Sequence, residues 1–476
     1  MRVVRNIGAN EYIFSWFSGI RRLALIYESL NIVFDRMLII FSLIIYGGKS
    51  VNELGNKLNT KSKNRILFIG PIPEEVGGPR NGGVATYCWE LAHQANKNGY
   101  NVYIWSDAAY SFNDEDISII SWNFNNKLKL FFFGVIYYLM SIKILKKLEF
   151  LTFKQKIIIA YRAYLLKDLI KIVNPDIIHV LHLLDNINFS LFCLRSPPPV
   201  VVTEHAVGLV YEYQFCNKYD LRNNQGSRSL INAVLKKTDC IISVSKFSQK
   251  SFLKNFSIPN NLITKYILNP IDISKLPILN KNDEKKKLGL DKKKVVAFIG
   301  VHLPIERKGL DILLETFLID DYLRNNCLLL IITNDEARIY ASKFIKSNKI
   351  DGLALGPQPW DKLIGYFNSS DVFVMPSRLE GIGLVYYEAL LAGVPIVGFH
   401  SSVKELEEVL GIYIGERFNA ALESKIDLAE KIKKVLNTDF DRNLLRKRTI
   451  DNLSWEVKFP EFDSVYKKLV IGSTEI

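Results

Sequence analysis

The stretch DVFVMPSRLEGIGLVYYEALLAGVPIVG, residues 371–398, decides the fold. A short apolar run ends at Pro376, a loop with two glycines follows, and a helical segment ends at Gly393 before a second apolar run. This order of strand, loop, helix and strand is typical of a doubly wound α/β sheet. Ligands of such sheets bind beyond the carboxyl ends of the strands, so the loop is predicted to lie at a ligand site.

The loop combines an anion site with two acids. Gly381 and Gly383 let the backbone approach a phosphate because neither residue has a Cβ. The amides of residues 382–384, at the predicted helix start, would bind an anion. Glu380 precedes them and Glu388 lies one turn into the helix. Since carboxylates accept hydrogen bonds from vicinal hydroxyls, the pattern predicts a nucleotide sugar, with sugars on both sides of a diphosphate. The alternative is a surface loop acid and an acid on a helix face.

The rest of the chain repeats this α/β organisation. RILFIGPIP at 65–73 leads into a glycine-rich loop, a helix and a second strand, and VVAFIG at 295–300 starts a second series, which includes a strand at GIYIG, 411–415. We therefore predict two Rossmann-like, doubly wound domains that face a cleft. The predicted bounds are an N-terminal extension at 1–60, an N-terminal domain at 61–278 joined by a C-terminal helix at 455–476, and a C-terminal domain at 279–454.

Composition limits the cellular setting. The chain has 476 residues, and its five cysteines are scattered without a C-x-x-C pair. That usage suits a reducing compartment and argues against a disulfide scaffold or a zinc site. The apolar runs at 37–46 and 130–142 are shorter than the roughly 20 residues that a membrane span needs. The expected location is the cytoplasm.

The net charge of +13 is concentrated in a basic block at residues 127–171, which holds ten Lys/Arg and two acids. The block alternates apolar runs with lysines, as a helix lying in a membrane interface does. A buried helix pair with a solvated lysine face is the alternative. Together with the aromatic and apolar extension at 1–60, the block favours a peripheral enzyme on the inner face of the membrane. Nucleic acid is disfavoured as a partner, because no signature of a nucleic-acid-binding module is present.

The chain resembles retaining glycosyltransferases of family four, the glycosyl transferases group 1, over roughly residues 64–460. Residues 354–398 carry most of the resemblance. Weaker elements occur in the family's order: GGVATY, PDIIHVLH, VVVTEH, DCIISVSKFSQ, NPID, IERKGLDILLETF and LSWE. The resemblance implies the GT-B architecture, a nucleoside-diphosphate sugar as donor and transfer with retention at the anomeric carbon. Combined with the basic block, it leads us to expect a lipid-linked saccharide acceptor in surface polysaccharide or glycolipid synthesis.

The family's roles can be assigned to matching positions. The resemblance implies that Glu388 holds the ribose, Glu380 contacts the donor sugar and Lys308 neutralises the leaving diphosphate. His205 would lie under the reacting sugar. The other donor-binding residues are Arg307, Gly381, Ile382, Gly383, Leu384, Gly82, Gly83 and His302. The family often has Gly-Arg-Leu where this chain has Gly-Val-His-Leu at 300–303, which leaves Arg307 or His302 as the second phosphate cation.

No cofactor or metal is expected. The acidic DED run at 114–116 resembles a metal-binding cluster, but a solvated loop is the preferred interpretation. His179 and His182 alternate with apolar residues on a strand, which is typical of core or cleft-edge histidines. Two functions outside transfer remain open: a nucleotide-sugar epimerase or hydrolase, and a non-catalytic nucleotide-sugar-binding protein.

Overall fold

The computed structural model describes residues 64–78, 82–106, 108, 110–121, 138, 152–181, 191, 194, 196–207, 225–300 and 305–474. The predicted extension at 1–60 and most of 127–151 lie outside these residues. Within the described part, two sheets are each covered by helices. This confirms the predicted two-domain α/β architecture.

The first sheet has eight strands in the order β3-β4-β2-β1-β5-β6-β7-β8, all parallel except the β3–β4 pair. Its strands are β1 Arg65–Ile69, β2 Asn101–Ser106, β3 Phe112–Asp114, β4 Ile117–Ser121, β5 Ile177–Val180, β6 Val200–Glu204, β7 Cys240–Ser243 and β8 Ile263–Tyr266. Its helices are α1 Gly83–Lys97, α2 Phe153–Val173, α3 Gln225–Leu235 and α4 Lys246–Asn255. The strand order reverses between β1 and β5, and such a reversal opens a ligand crevice.

The second sheet has six parallel strands in the order β11-β10-β9-β12-β13-β14. Its strands are β9 Lys294–Ile299, β10 Cys327–Ile332, β11 Gly352–Leu355, β12 Val372–Met375, β13 Ile396–Phe399 and β14 Gly415–Phe418. Its first helices are α5 Lys281–Leu288, α6 Ile305–Lys308, α7 Leu310–Ile319, α8 Asp321–Asn326, α9 Asp335–Ser347 and α10 Trp360–Ser369. The later ones are α11 Leu384–Leu391, α12 His400–Leu410, α13 Lys425–Leu436 and α14 Arg442–Leu453, and the chain ends with α15 Trp455–Thr474. Here the order reverses between β9 and β12, so the loop at 376–383 lies at the reversal.

One predicted strand is wrong. Residues 411–415 do not form a strand of their own; β14 begins only at Gly415 and pairs with β13 through Phe418. The reason is Gly411, which ends helix α12 in the left-handed conformation with φ 65°. A residue in that conformation terminates a helix and does not begin an extended run.

The last helix, α15, packs on the first sheet although it follows the second sheet in sequence. Trp455, Phe459, Phe462 and Tyr466 belong to the first sheet's apolar core. The Tyr100 hydroxyl donates to Asp463 at 2.7 Å. The chain thus crosses between the sheets twice, and the two crossings meet where the Ile271 amide donates to the Leu453 carbonyl at 2.9 Å.

Helix α2 covers residues 153–173, the second half of the basic block. Its apolar residues from Ile157 to Val173 are largely buried in the protein. The capping box formed by Thr152 and Gln155 fixes its start. This half of the block therefore matches the buried-helix alternative, and Phe153 in the first turn, 58% exposed, is the most exposed apolar side chain of α2.

Candidate functional site

The loop between β12 and α11 is anchored by the Tyr386 side chain, which bonds to backbone groups of the two flanking strands. The Tyr386 hydroxyl donates to the Met375 carbonyl and accepts from the Phe399 amide, both at 2.9 Å. These bonds join β12, α11 and β13 beneath the loop. Gly383 is the N-cap of α11, so the helix begins where the sequence predicts it. The first amides of a helix have no partner within the helix, which is what the predicted anion site requires.

Glu380 and Lys308 are brought together by two tight loops. Lys308 Nζ donates to Glu380 Oε2, and both side chains are largely buried. Lys308 is placed by Gly309, which adopts φ 74° and lies so close to β12 that a Cβ would come within 2.1 Å of the Pro376 carbonyl. Only glycine fits there. The pair therefore places one cation and one acid at the start of α11.

The Glu380 carboxyl also lies beside the helix N-terminus. Its carboxyl carbon is 3.6 Å from the position that a Cβ on Gly383 would take. The positive end of α11 and the Lys308 ammonium both stabilise this negative charge. An anion binding here would compete with Glu380 for Lys308, so it would have to share or rearrange this ion pair.

Arg307 lies in the same short helix as Lys308. Its carbonyl accepts from the Arg378 amide at 2.9 Å, and its Nε is buried without a hydrogen-bond partner in the described part of the chain. Arg378, which the sequence analysis missed, ties the two loops together: it bonds to the Glu306 carbonyl at 2.6 Å and to Asp311 at 2.8 Å. Arg307 thus lies next to Lys308 in the chain, and its role as the second phosphate cation stays a prediction.

The remaining donor-binding candidates fall in two groups. Leu384 and Glu388 are half-buried and lie one helical turn apart, on one face of α11. Gly82 caps α1 and Gly83 begins it, at the carboxyl edge of the first sheet. A Cβ on Gly83 would lie 3.4 Å from Leu384 Cδ1, so the two sheets approach each other here. His302 lies outside the described residues.

His205 follows β6 and lies next to the loop at 376–383, the donor loop. Its ring meets the Tyr87 ring edge to face, with centroids 5.0 Å apart. The next residue, Ala206, contacts Gly381: a Cβ on Gly381 would lie 2.8 Å from the Ala206 Cβ. The Ser245 hydroxyl donates to the Gly381 carbonyl at 3.0 Å. The structure therefore brings His205 close to the loop that carries Glu380, the partner of Lys308.

Two other histidines, His179 and His93, have structural partners, and His182 lies outside the described residues. His179 is fully buried and bonds to the Tyr466 hydroxyl and to Thr203 Oγ1, both at 2.8 Å. Burial, assisted by the nearby His205, lowers the pKa of His179 to about 3, so its ring is neutral. His93 bonds to Asp114, a member of the DED run. Among the described residues, no group of three or more His, Cys, Asp or Glu could hold a metal ion.

Comparison with known proteins agrees with this fold. The model of Glycosyltransferase Family 4 matches residues 81–275, and that of Glycosyl transferases group 1 matches residues 280–452. Together they cover most of the chain. The chain therefore belongs to the group 1 glycosyltransferases and has their two-domain fold.

Solved structures share the fold at low sequence identity. Sucrose-phosphate synthase from Thermosynechococcus elongatus is 17% identical with a TM-score of 0.64, covering 86% of this chain and all of that one. Anabaena HepE, solved in complex with UDP and glucose, is 14% identical with a TM-score of 0.56 over 85% of this chain and all of that one.

Curated relatives match over shorter stretches. The GDP-mannose-dependent monoacylated alpha-(1-6)-phosphatidylinositol monomannoside mannosyltransferase of Corynebacterium glutamicum is 24% identical over 183 residues, 36% of this chain and 47% of that protein. Across three curated relatives, the matched part spans between 46% and 65% of their length.

Proposed function

We propose that the protein transfers a sugar from a nucleoside-diphosphate sugar to a lipid-linked saccharide, in surface polysaccharide or glycolipid synthesis. The observation that carries the proposal is the Lys308–Glu380 pair at the N-terminus of α11. A cation beside a helix start suits a diphosphate, and an acid within reach suits sugar hydroxyls. HepE, with UDP and glucose in its crystals, supports a donor of this chemistry.

The catalytic effect follows from the leaving group. As the bond to the anomeric carbon breaks, negative charge develops on the diphosphate and positive charge on the sugar. In this proposal the amides of 382–384, Lys308 and Arg307 stabilise the diphosphate, which is electrostatic catalysis by preorganised groups. Glu380 orients the sugar hydroxyls and Glu388 the ribose. The proposal requires neither a metal ion nor another cofactor.

The stereochemical proposal is retention. The acceptor would attack on the face from which the diphosphate leaves, and the diphosphate would take the acceptor's proton. No second carboxylate is then needed as a base, in contrast to the paired acids of glycoside hydrolases. His205, at the edge of the cleft, would lie under the reacting sugar. The anomeric configuration of the product, read by NMR against that of the donor, tests this part by itself.

The acceptor is inferred from surface chemistry and from relatives. The C. glutamicum relative is named for a phosphatidylinositol mannoside, which is a glycolipid. In this chain, Phe153 is exposed at the start of α2 and is followed by the exposed Lys154. An aromatic ring beside lysines is suited to the interface of an anionic bilayer. We accordingly place the enzyme peripherally on the inner face of the membrane. No helix in the described ranges is long and apolar enough to cross a bilayer.

Membrane contact is tested with vesicles. Co-sedimentation is expected with vesicles that contain anionic lipid and not with purely zwitterionic ones. The double variant Phe153→Ser, Lys154→Gln should weaken it, whereas the exposed control Lys343→Gln should not. Equal sedimentation of wild type and double variant would place membrane contact elsewhere or nowhere.

Transfer is tested with purified protein, a host lipid extract and a panel of labelled nucleotide sugars, with Glu388→Ala in parallel. Label entering solvent-extractable lipid with wild type alone supports the proposal and identifies the donor. Donor consumed or isomerised without lipid label would identify a hydrolase or epimerase. Donor bound without turnover would identify a non-catalytic binding protein.

A further inference from the structure

Glu204 is a buried acid for which the transfer mechanism has no use. It ends β6, is 0% exposed, and accepts hydrogen bonds from Ser248 Oγ at 2.5 Å and from the Val207 amide at 3.0 Å. Burial raises the pKa of its carboxyl to about 7, against the lowering effect of these hydrogen bonds. Burying an acid is costly unless its oxygens are satisfied, so the donors around it stabilise one particular arrangement.

The first element that Glu204 holds is the turn at 205–207. Ala206 has φ 61°, a left-handed conformation that is unfavourable for a residue with a Cβ. Glu204 accepts from the amides of both Ala206 and Val207, and these bonds stabilise the strained turn. The same turn places the His205 ring against Tyr87. The position of His205 therefore depends on the Glu204 carboxylate.

The second element is the donor loop, which Glu204 reaches through two serines. Ser248 lies in the first turn of α4, and its amide donates to Ser245 Oγ at 3.0 Å. Ser245 Oγ in turn donates to the Gly381 carbonyl at 3.0 Å. On the other side of the turn, Ala206 contacts Gly381 directly. Two separate routes thus connect Glu204 with the residue that follows Glu380.

We propose that Glu204 is a positioning residue, which fixes His205 and the Gly381 loop relative to each other through the 205–207 turn and the Ser248–Ser245 chain. It touches neither donor nor acceptor. Its effect on transfer rests on the proposed function; its effect on the loop does not. The contacts are contiguous from one sheet to the other, so a change at Glu204 acts on both sides of the cleft.

The test compares Glu204→Gln and Glu204→Asp with wild type and with Asp371→Asn. The glutamine has the same shape but replaces one acceptor oxygen with a donor, whereas the aspartate keeps both acceptors. Asp371 is an acid whose side chain is 6% exposed and which pairs with Lys281 and Lys285 just before β12. The first readout is hydrogen–deuterium exchange of the ligand-free protein. Exchange of the 378–384 amides should be about tenfold faster in Glu204→Gln, with a smaller change in Glu204→Asp.

The second readout is kinetic. A misplaced His205 and loop should lower kcat about tenfold in Glu204→Gln, while KM for the donor rises less than about threefold. Asp371→Asn should lower the melting temperature without changing either the loop exchange or kcat. Unchanged exchange at 378–384 in Glu204→Gln would overturn the inference. If the wild type transfers no sugar, the proposed function fails alone, and the exchange measurement still decides the role of Glu204.

Discussion

The two sheets contribute different chemistry to the cleft. The second sheet contributes charge: Lys308, Arg307, Glu380 and Glu388 all lie at or near its strand reversal. The described edge of the first sheet contributes shape and aromatic contacts, namely Gly83 and the His205–Tyr87 pair. A charged end that faces an edge of shape and aromatic contacts suits the proposed reaction, in which one partner carries a diphosphate and the other is a hydroxyl.

The role of charge from the second sheet is tested most strongly at Lys308. Lys308→Ala removes the cation that the account assigns to the leaving diphosphate and leaves Glu380 buried without its partner. We expect kcat for transfer to fall at least about 100-fold. Lys308→Arg should recover part of this loss, and the exposed Lys343→Ala should resemble wild type. A kcat for Lys308→Ala within threefold of wild type would mean that the charge of the second sheet does not drive the reaction.

The contact between the sheets is tested at Gly381. Gly381→Ala places a methyl group 2.8 Å from the Ala206 Cβ, so one of the two loops has to move. The free energy of unfolding should fall by about 2 kcal/mol, measured by urea denaturation. Ala206→Gly removes the opposing methyl group and the left-handed strain, so the double variant should recover most of the loss. Additive effects would show that the two residues do not meet in solution.

Because the proposal assigns Glu388 to the ribose of the donor, replacing Glu388 should weaken nucleotide binding. Glu388→Gln should weaken binding of the free nucleoside diphosphate about tenfold, because a charged acceptor for the ribose hydroxyls is lost. Isothermal titration calorimetry measures this directly. Glu336→Gln, an exposed acid on helix α9, is the control. Equal affinity in all three proteins would remove Glu388 from the donor site.

The smallest effect concerns the interior of the first sheet. The pKa of His179 is depressed to about 3 in the folded state from an ordinary 6.5, so the unfolded state binds the extra proton between these values. The contribution of the neutral His179 ring to the free energy of unfolding is therefore fully present above pH 6.5 and is lost as the pH falls towards 3. Between pH 7 and 5.5 the loss should be about 1 kcal/mol. His179→Gln should show a shallower pH dependence of unfolding, and an unchanged dependence would contradict the buried neutral ring.

The sequence allowed prediction of the donor loop because all its parts are local. Strand, glycines, acids and helix lie within 371–398, and each follows from residue type and spacing. Ser245 and Gly381, in contrast, are 136 residues apart, and their hydrogen bond depends on how the two sheets meet. Glu204 ends a strand and precedes the predicted site residue His205, and this position is the only feature of the sequence that indicates a role for Glu204. For the same reason the buried face of α2 could not be distinguished from a membrane-facing one.

The proposed mechanism depends most directly on where a nucleoside diphosphate binds. A crystal structure of the protein with UDP, and a second with GDP, would measure this. We predict that at least one of them places the diphosphate at the amides of 382–384, with Lys308 Nζ bonded to a phosphate oxygen and the ribose hydroxyls at Glu388. A diphosphate bound away from α11, or one that leaves Lys308 paired only with Glu380, would contradict the account.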